Sequence, residues 1–207
     1  MAIEAVVFDI GNVLVEWYPE RPFDRLLGEA RRKELFDAVD FAGANDRSDL
    51  GADMYEEIDA LARNHPEWAE EIQLWSRNWL EMLAPDLKQS ARILRALRSK
   101  GLPVFALSNF GVPTLALAEK EYPILQEFDQ RFISGERRVM KPDPAFYAML
   151  ESETGVSPEA LFFIDDRADN IEQAASRGWQ THLFESEAGL AKHMVAQGLL
   201  TADEVGK

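Results

Sequence analysis

No cysteine occurs in the 207 residues. Disulfides, thiolate nucleophiles and zinc held by thiolates are therefore excluded, and the composition fits a reducing compartment. Positive charge is scarce: 22 Lys and Arg stand against 37 Asp and Glu, a formal charge of -15 at pH 7. Such a surface repels nucleic acid and anionic membranes, so neither is expected as a partner. An anionic substrate must then be received by a local positive cluster or a metal ion. No apolar run approaches the roughly 20 residues of a membrane span. The opening MAIEAVVFDI has no basic segment ahead of its apolar stretch and carries acids within it, unlike a signal peptide. Internal repeats, low-complexity tracts and long flexible linkers are also missing. A soluble, cytoplasmic protein is expected, built as one large domain or one domain carrying an insertion.

What is present is organised around Ala5–Leu14, AVVFDIGNVL. An apolar run that ends in Asp9 and Gly11 reads as a buried parallel strand delivering a carboxylate at its C-terminal edge. Ligands of open α/β sheets bind at that edge, which makes Asp9 the candidate reactive group. A flap-like segment, Val15 to Pro19, follows. From Phe23 to about Leu83 the apolar residues recur at helical intervals, among them Leu26, Leu27, Ala30, Leu35, Phe36 and Val39, then Met54, Ile58, Leu61 and Ala62. Trp68, Ile72, Trp75 and Trp79 predict one face of a single helix, read as packing core rather than a ligand cage.

From Ser90 onward strands and helices alternate. A helix over Ala91–Lys100 is closed by Gly101; Leu102–Leu107 is a buried strand ending in Ser108-Asn109; a helix near Thr114–Glu121 precedes a short strand, Arg131–Ser134. Lys141-Pro142-Asp143-Pro144 leads into a helix over Ala145–Thr154, strand Ala160–Ile164 ends in Asp165-Asp166, and helix Ala168–Arg177 stops at Gly178 before strand Gln180–Phe184 and a terminal helix. The expected fold is α/β, a Rossmann-like doubly wound parallel sheet with an inserted all-helical segment. Residues 1–16 with 85–207 form the predicted core domain, and residues 17–84 the predicted helical cap.

Asp9, Ser108-Asn109, Lys141 and Asp165-Asp166 all follow apolar runs or begin loops after them, so a parallel sheet would gather them at one edge. Taken in order, Asp9-Ile10-Gly11-Asn12-Val13, Leu107-Ser108-Asn109, Lys141-Pro142 and Ile164-Asp165-Asp166-Arg167-Ala168-Asp169-Asn170 resemble the four motifs of the haloacid dehalogenase superfamily. The resemblance covers the whole chain, and the helical insert matches the cap of the family's first subclass. It implies that Asp9 is a nucleophile and that Ser108, Asn109 and Asn12 hold the substrate, with Lys141 offsetting the charge of phosphate and Asp9. It further implies Mg²⁺ on Asp9, the carbonyl of Gly11 and Asp166, with Asp165 or Asn170 close by. Such a cation and a fixed ammonium let a carboxylate attack a phosphate dianion despite like-charge repulsion.

One position departs from the pattern. Most phosphatases of the superfamily place an acid two residues after the nucleophile, where this chain has Gly11. Losing general acid–base help costs about 10²–10⁴-fold. Three readings stay open. The first is a phosphatase of small phosphomonoesters, sugar phosphates foremost, in the Asp-x-Gly-Asn-Val branch that resembles glucose-1-phosphate phosphatase. There, Glu16 is a candidate replacement acid. The second is an L-2-haloacid dehalogenase, which needs neither metal nor leaving-group acid, with His182 and Glu16 considered as a water-activating pair. The third is a catalytically silent binding protein. Dehalogenases of the family are expected to carry serine and asparagine where this chain has Asp165-Asp166, so the paired acids favour the first. Substrate choice is expected in the cap, where Asn45–Asp49 is read as a segment joining two helices and Arg47 as a substrate contact. The substrate is expected to be a small molecule, with a monomer and a homodimer both open.

Overall fold

In a computed structural model describing residues 2–206, strands β1 (Ala5–Phe8), β4 (Val104–Ser108), β5 (Gln130–Ile133), β6 (Leu161–Asp165) and β7 (Gln180–Leu183) form one sheet, and β2 (Val15–Trp17) and β3 (Leu83–Asp86) another. The large sheet runs β5-β4-β1-β6-β7, every neighbour parallel. Its three central strands, β4, β1 and β6, bury both faces, as continuous apolar runs require. Val6, Phe8, Val104, Ala106, Phe162 and Ile164 join one core, while Ala5, Val7, Phe105, Leu107, Leu161 and Phe163 join the other. Helix Pro144–Thr154 covers the second face through Phe146, Tyr147 and Leu150. Helices Lys88–Ser99 and Glu187–Ala196 cover the first through Ile93, Leu94, Leu97, Leu190 and Met194. Gly101 (φ 78°) and Gly178 (φ 93°) follow helix ends in the left-handed backbone that only glycine adopts without strain.

β1 lies between β4 and β6, so the chain order reverses beside it. A crevice opens at the C-terminal ends of these three strands. The chain leaves that edge along β2 and returns along β3, which pair antiparallel with Val15 opposite Asp86 and Trp17 opposite Leu83. Between them lies a run of helices whose aromatics pack together: Phe41 stacks on Trp75 at 4.9 Å, and Phe23 meets Phe36 edge-on at 5.0 Å.

Two local expectations change. The helix read through Trp68, Ile72, Trp75 and Trp79 is a 3₁₀ turn, Pro66–Trp68, and three short helices, Ala69–Ile72, Leu74–Arg77 and Trp79–Met82. Asn78 makes the last break, because its Nδ2 donates to the Leu74 carbonyl and its backbone leaves the helical region. Asn45–Asp49 is no joint but the second half of a helix, Phe41–Asp49, capped by Asp40 accepting from the Gly43 amide at 2.9 Å.

Candidate active site

β1 ends at Phe8, and Asp9 is carried just past the strand with 8 % of its surface exposed. One carboxylate oxygen, Oδ1, collects three donors: the Ile10 amide at 2.7 Å, Ser108 Oγ at 2.6 Å and Lys141 Nζ at 2.9 Å. That leaves Oδ2 as the oxygen free of protein donors among the described residues. Burial pushes the Asp9 carboxyl up to about 7, against the pull of Lys141.

Lys141 is fully enclosed, and its ammonium bridges Asp9 and Asp165, reaching Asp165 Oδ2 at 2.6 Å. Burial alone would lower its pKa; the two carboxylates outweigh burial and raise it. Asn109 holds this lysine by its backbone, donating Nδ2 to the Lys141 carbonyl at 3.0 Å and accepting the Lys141 amide at 2.8 Å. The Asn109 side chain is therefore engaged in placing Lys141, while the substrate contact expected here is with the backbone near Asn109. Asp165 is saturated in the same way: it takes Lys141 Nζ, the Arg167 amide at 2.8 Å and Asn170 Nδ2 on both oxygens.

Asp166 is more open. Its one side-chain donor is Asn12 Nδ2, at 3.0 Å on Oδ2. Burial raises the Asp166 carboxyl, and the Asn12 hydrogen bond opposes that rise. Asn12 sits at φ 55°, and its Oδ1 accepts the Trp17 amide at 2.8 Å. Both ends of this amide are thus in use, and Asn12 orients Asp166 at the edge of the pocket it lines. Carboxylate oxygens of Asp9, Asp165 and Asp166 lie within 4.8 Å of one another, and Asn170 Oδ1 is buried with no donor.

These groups line one side of a pocket of about 600 Å³ that Gly11 also borders. The opposite walls are aromatic: Trp17, Phe36, Phe41, Trp75, Trp79 and Phe110. Trp75 and Trp79 are 3 % and 5 % exposed. They belong to the core, as expected, and also wall the pocket. Helix Phe41–Asp49 presents Ala42, Asn45, Asp46 and Asp49 to the cavity, the i, i+3, i+4, i+7 face. Sequence reasoning missed this polar face because the stretch was read as a joint; taken as a helix, the spacing alone would have exposed it.

Three expected site residues lie elsewhere. Arg47 falls off that helix face and pairs with Glu57 at 2.7 Å, half exposed, so the pocket wall comes from its neighbours instead. Glu16 alternates with the pocket-lining Trp17 along β2, so it faces away and binds Arg21 at 3.0 Å. It can serve neither as replacement acid nor as substrate contact. His182 packs on His193 with ring centroids 4.5 Å apart, and burial, then His193, lowers its pKa. Being outside the pocket lining, His182 and Glu16 form no water-activating pair.

The haloacid dehalogenase-like hydrolase family profile matches residues 3–178. Among characterised proteins, the sesquiterpene phosphatase astK of Aspergillus oryzae is 25% identical over 89% of this chain and 92% of its own. The drimenol cyclase drtB of Aspergillus calidoustus is 27% identical over 88% of this chain, which spans only 34% of that protein. Among solved structures, a HAD family enzyme, bt-2542 of Bacteroides thetaiotaomicron, superposes with a TM-score of 0.75 at 22% identity, covering 90% of this chain and 95% of that one. The same enzyme has been solved in complex with magnesium and inorganic phosphate. The L-2-haloacid dehalogenase of Xanthobacter autotrophicus, with chloropropionic acid covalently bound, superposes at 0.61 with 21% identity, covering 98% of this chain and 86% of its own. With its profile matched across both the sheet and the helical insertion, this chain belongs to the haloacid dehalogenase-like hydrolases.

Proposed function

We propose that this hydrolase is a Mg²⁺-dependent phosphatase of small phosphomonoesters, acting through an aspartyl-phosphate on Asp9. The observation that carries the reading is Asp166, whose carboxylate stands beside Asp9 and Asp165 with Asn12 as its side-chain donor and no cation paired to it among the described residues. Displacing halide from carbon calls for no such acid. The donor set is all oxygen, the kind a hard divalent cation takes, and the orphaned Asn170 Oδ1 adds an unsatisfied acceptor nearby. Asp9, Asp166 and the Gly11 carbonyl would hold the ion, with Asp165 fixing Lys141 beside it. Mg²⁺ bound there would offset charge on the phosphate and lower the barrier to attack by an anion.

The protein's own groups do the rest. Ser108 and Lys141 hold Asp9 Oδ1, which aims Oδ2 at phosphorus. The Lys141 ammonium, fixed by Asn109 and Asp165, neutralises charge on the transferred group without reorganising. Residues 17–84 act as a cap, excluding water and reading the rest of the substrate.

The aromatic walls favour an apolar organic group over the sugar expected from the resemblance, because they offer large apolar area and few hydrogen bonds. The similarity to a sesquiterpene phosphatase points the same way.

Release of inorganic phosphate from alkyl, prenyl, aryl and sugar monophosphates, with and without Mg²⁺, tests this reading. Metal-dependent turnover, highest for apolar esters and lost in Asp9→Asn, is expected. Gly11 supports a second reading, haloacid dehalogenation; chloride release from L-2-chloropropionate without metal would establish that instead.

A further inference from the structure

Gly11 has no side chain to protonate a departing alkoxide, yet the phosphatase reading needs a proton source in the pocket. We propose that Asp49 is the general acid–base residue of this enzyme, reaching the reaction from the insertion in place of an acid at position 11; the inference rests on the phosphatase reading above.

Asp49 is the last residue of helix Phe41–Asp49 and shares the pocket with Asp9. What distinguishes it is how firmly the sheet holds it. Its carbonyl accepts Ser134 Oγ at 2.5 Å, and that hydroxyl accepts the Phe110 amide at 2.9 Å. Ser134 directly follows β5, and Phe110 lies in the loop after β4 that carries Ser108. The helix end and these loops meet where only glycine fits. A Cβ at Gly111 would stand 2.8 Å from Ser48 Oγ and 3.1 Å from the Ser48 carbonyl, and one at Gly51 would stand 2.8 Å from the Gly135 carbonyl. The acid is thus docked on the same scaffold as the nucleophile's partners, as a proton-transfer group must be.

The carboxyl group is also prepared for the role. Asn45 Nδ2 donates to Oδ2 at 3.0 Å, and the Gly111 amide also donates to the carboxyl, so the group is fixed from the helix and from the loop after β4. Burial and then Asp46 push the Asp49 carboxyl up to about 7, with Asp9 adding to the rise, while the Gly111 amide and Asn45 oppose it. A group poised near neutrality can both give and take a proton. The other charged groups lining the pocket are Glu20, Lys141, Asp166 and Arg167. Of the remaining cap acids there, Asp46 is exposed and Glu20 lies at the start of the helix after β2, outside this clamp.

The steps balance. Asp9 Oδ2 bonds to phosphorus as the ester P–O bond breaks; the electron pair stays on the leaving oxygen, which takes the Asp49 proton to give an alcohol. Asp49 carboxylate then takes a proton from water, whose oxygen bonds to phosphorus while the aspartyl P–O bond breaks. Inorganic phosphate leaves, and Asp9 is again a carboxylate.

Leaving-group dependence tests the assignment with an alkyl phosphate and a nitrophenyl phosphate, in wild type, Asp49→Asn and Asp49→Glu, each checked by thermal melting. Asp49→Asn is expected to lower kcat/KM on the alkyl ester about 10²–10⁴-fold. On the nitrophenyl ester, whose leaving group needs no proton, kcat/KM should stay near wild type. Its kcat should still fall, with a burst of one equivalent of nitrophenol, because hydrolysis of the aspartyl-phosphate still needs the base. Asp49→Glu should recover part of the alkyl-ester rate. Equal losses of kcat/KM on both esters, or no loss on either, would overturn the assignment. Absence of wild-type turnover on both esters would instead overturn the phosphatase reading itself.

Discussion

At the scale of single residues, the site is a set of ion pairs and hydrogen bonds in which few groups are left over. Lys141 is the clearest case, an ammonium enclosed between Asp9 and Asp165. Removing one partner of such a pair strands buried charge, at a cost of about 3–5 kcal/mol. Lys141→Met is therefore expected to lower unfolding free energy by that amount in a urea titration and to abolish turnover. Asn109→Ala keeps the lysine but frees its backbone, so a smaller stability loss, about 1–3 kcal/mol, should accompany a fall in kcat. Asp49 titrates in the opposite sense to a salt-bridged acid. Below about pH 3, under the ordinary carboxylate value of 3.8, the folded and unfolded chains both hold its proton. Above about 7 the folded chain must hold it charged at a cost that the unfolded chain escapes. Asp49→Asn should accordingly leave Tm unaltered below about pH 3 and raise it at pH 8; a uniform shift at both pH values would refute the raised carboxyl. The strand-end residues Asp9, Ser108 and Asp165 were legible because a parallel sheet sends every such residue to one edge, and Lys141 by its place in the motif order. The actual duties of Asn12 and Asn109 were not, since an amide's hydrogen-bond partners are set by residues far away in sequence.

Among elements, helix Phe41–Asp49 matters most. It carries the polar wall of the pocket and docks on the loops after β4 and β5 through close backbone contacts. A Cβ on Gly135 would lie 2.8 Å from the Phe110 carbonyl and 3.0 Å from the Val112 amide, neither of which can swing aside as a side chain would. Gly135→Ala should push the helix and the β4 loop apart. A stability loss of about 1–3 kcal/mol is expected, together with a fall in kcat larger than any change in KM. The short helices bearing Trp75 and Trp79 contribute the apolar wall. Trp75 contacts Trp17, Phe23, Phe36 and Phe41, so Trp75→Ala removes packing worth about 3–5 kcal/mol. Measured by activity, it should raise KM for apolar esters more than for sugar phosphates. Helical periodicity revealed that this region is helical, but the helix boundaries depended on side-chain caps such as Asp40 and Asn78, which compete locally with the backbone.

For the molecule as a whole, the net charge of -15 opposes the approach of an anion until it reaches Lys141. Salt screens that repulsion over a Debye length of about 10 Å at 0.1 M. In consequence, kcat/KM for a phosphomonoester should rise as NaCl increases from low millimolar to about 0.15 M; a fall would mean that the local positive cluster governs approach. No helix among the described residues is long and apolar enough to cross a membrane.

The alternation of apolar runs and helical periods determined, without any coordinates, a parallel α/β sheet with a helical insertion, because burial on both sheet faces leaves few other ways to satisfy backbone and side chains. The order of the four motifs determined the superfamily for the same reason: each strand end can deliver one group to one edge. Tertiary structure alone decided which residues of the insertion face that edge. Arg47 and Glu16 are sequence neighbours of pocket residues and His182 lies on a strand of the same sheet, yet each turns elsewhere, to Glu57, Arg21 and His193. Asp49 turns in, because Ser134, Gly111 and Gly135, all far from it in sequence, and the adjacent Gly51 let two backbones approach closely enough to hold it there.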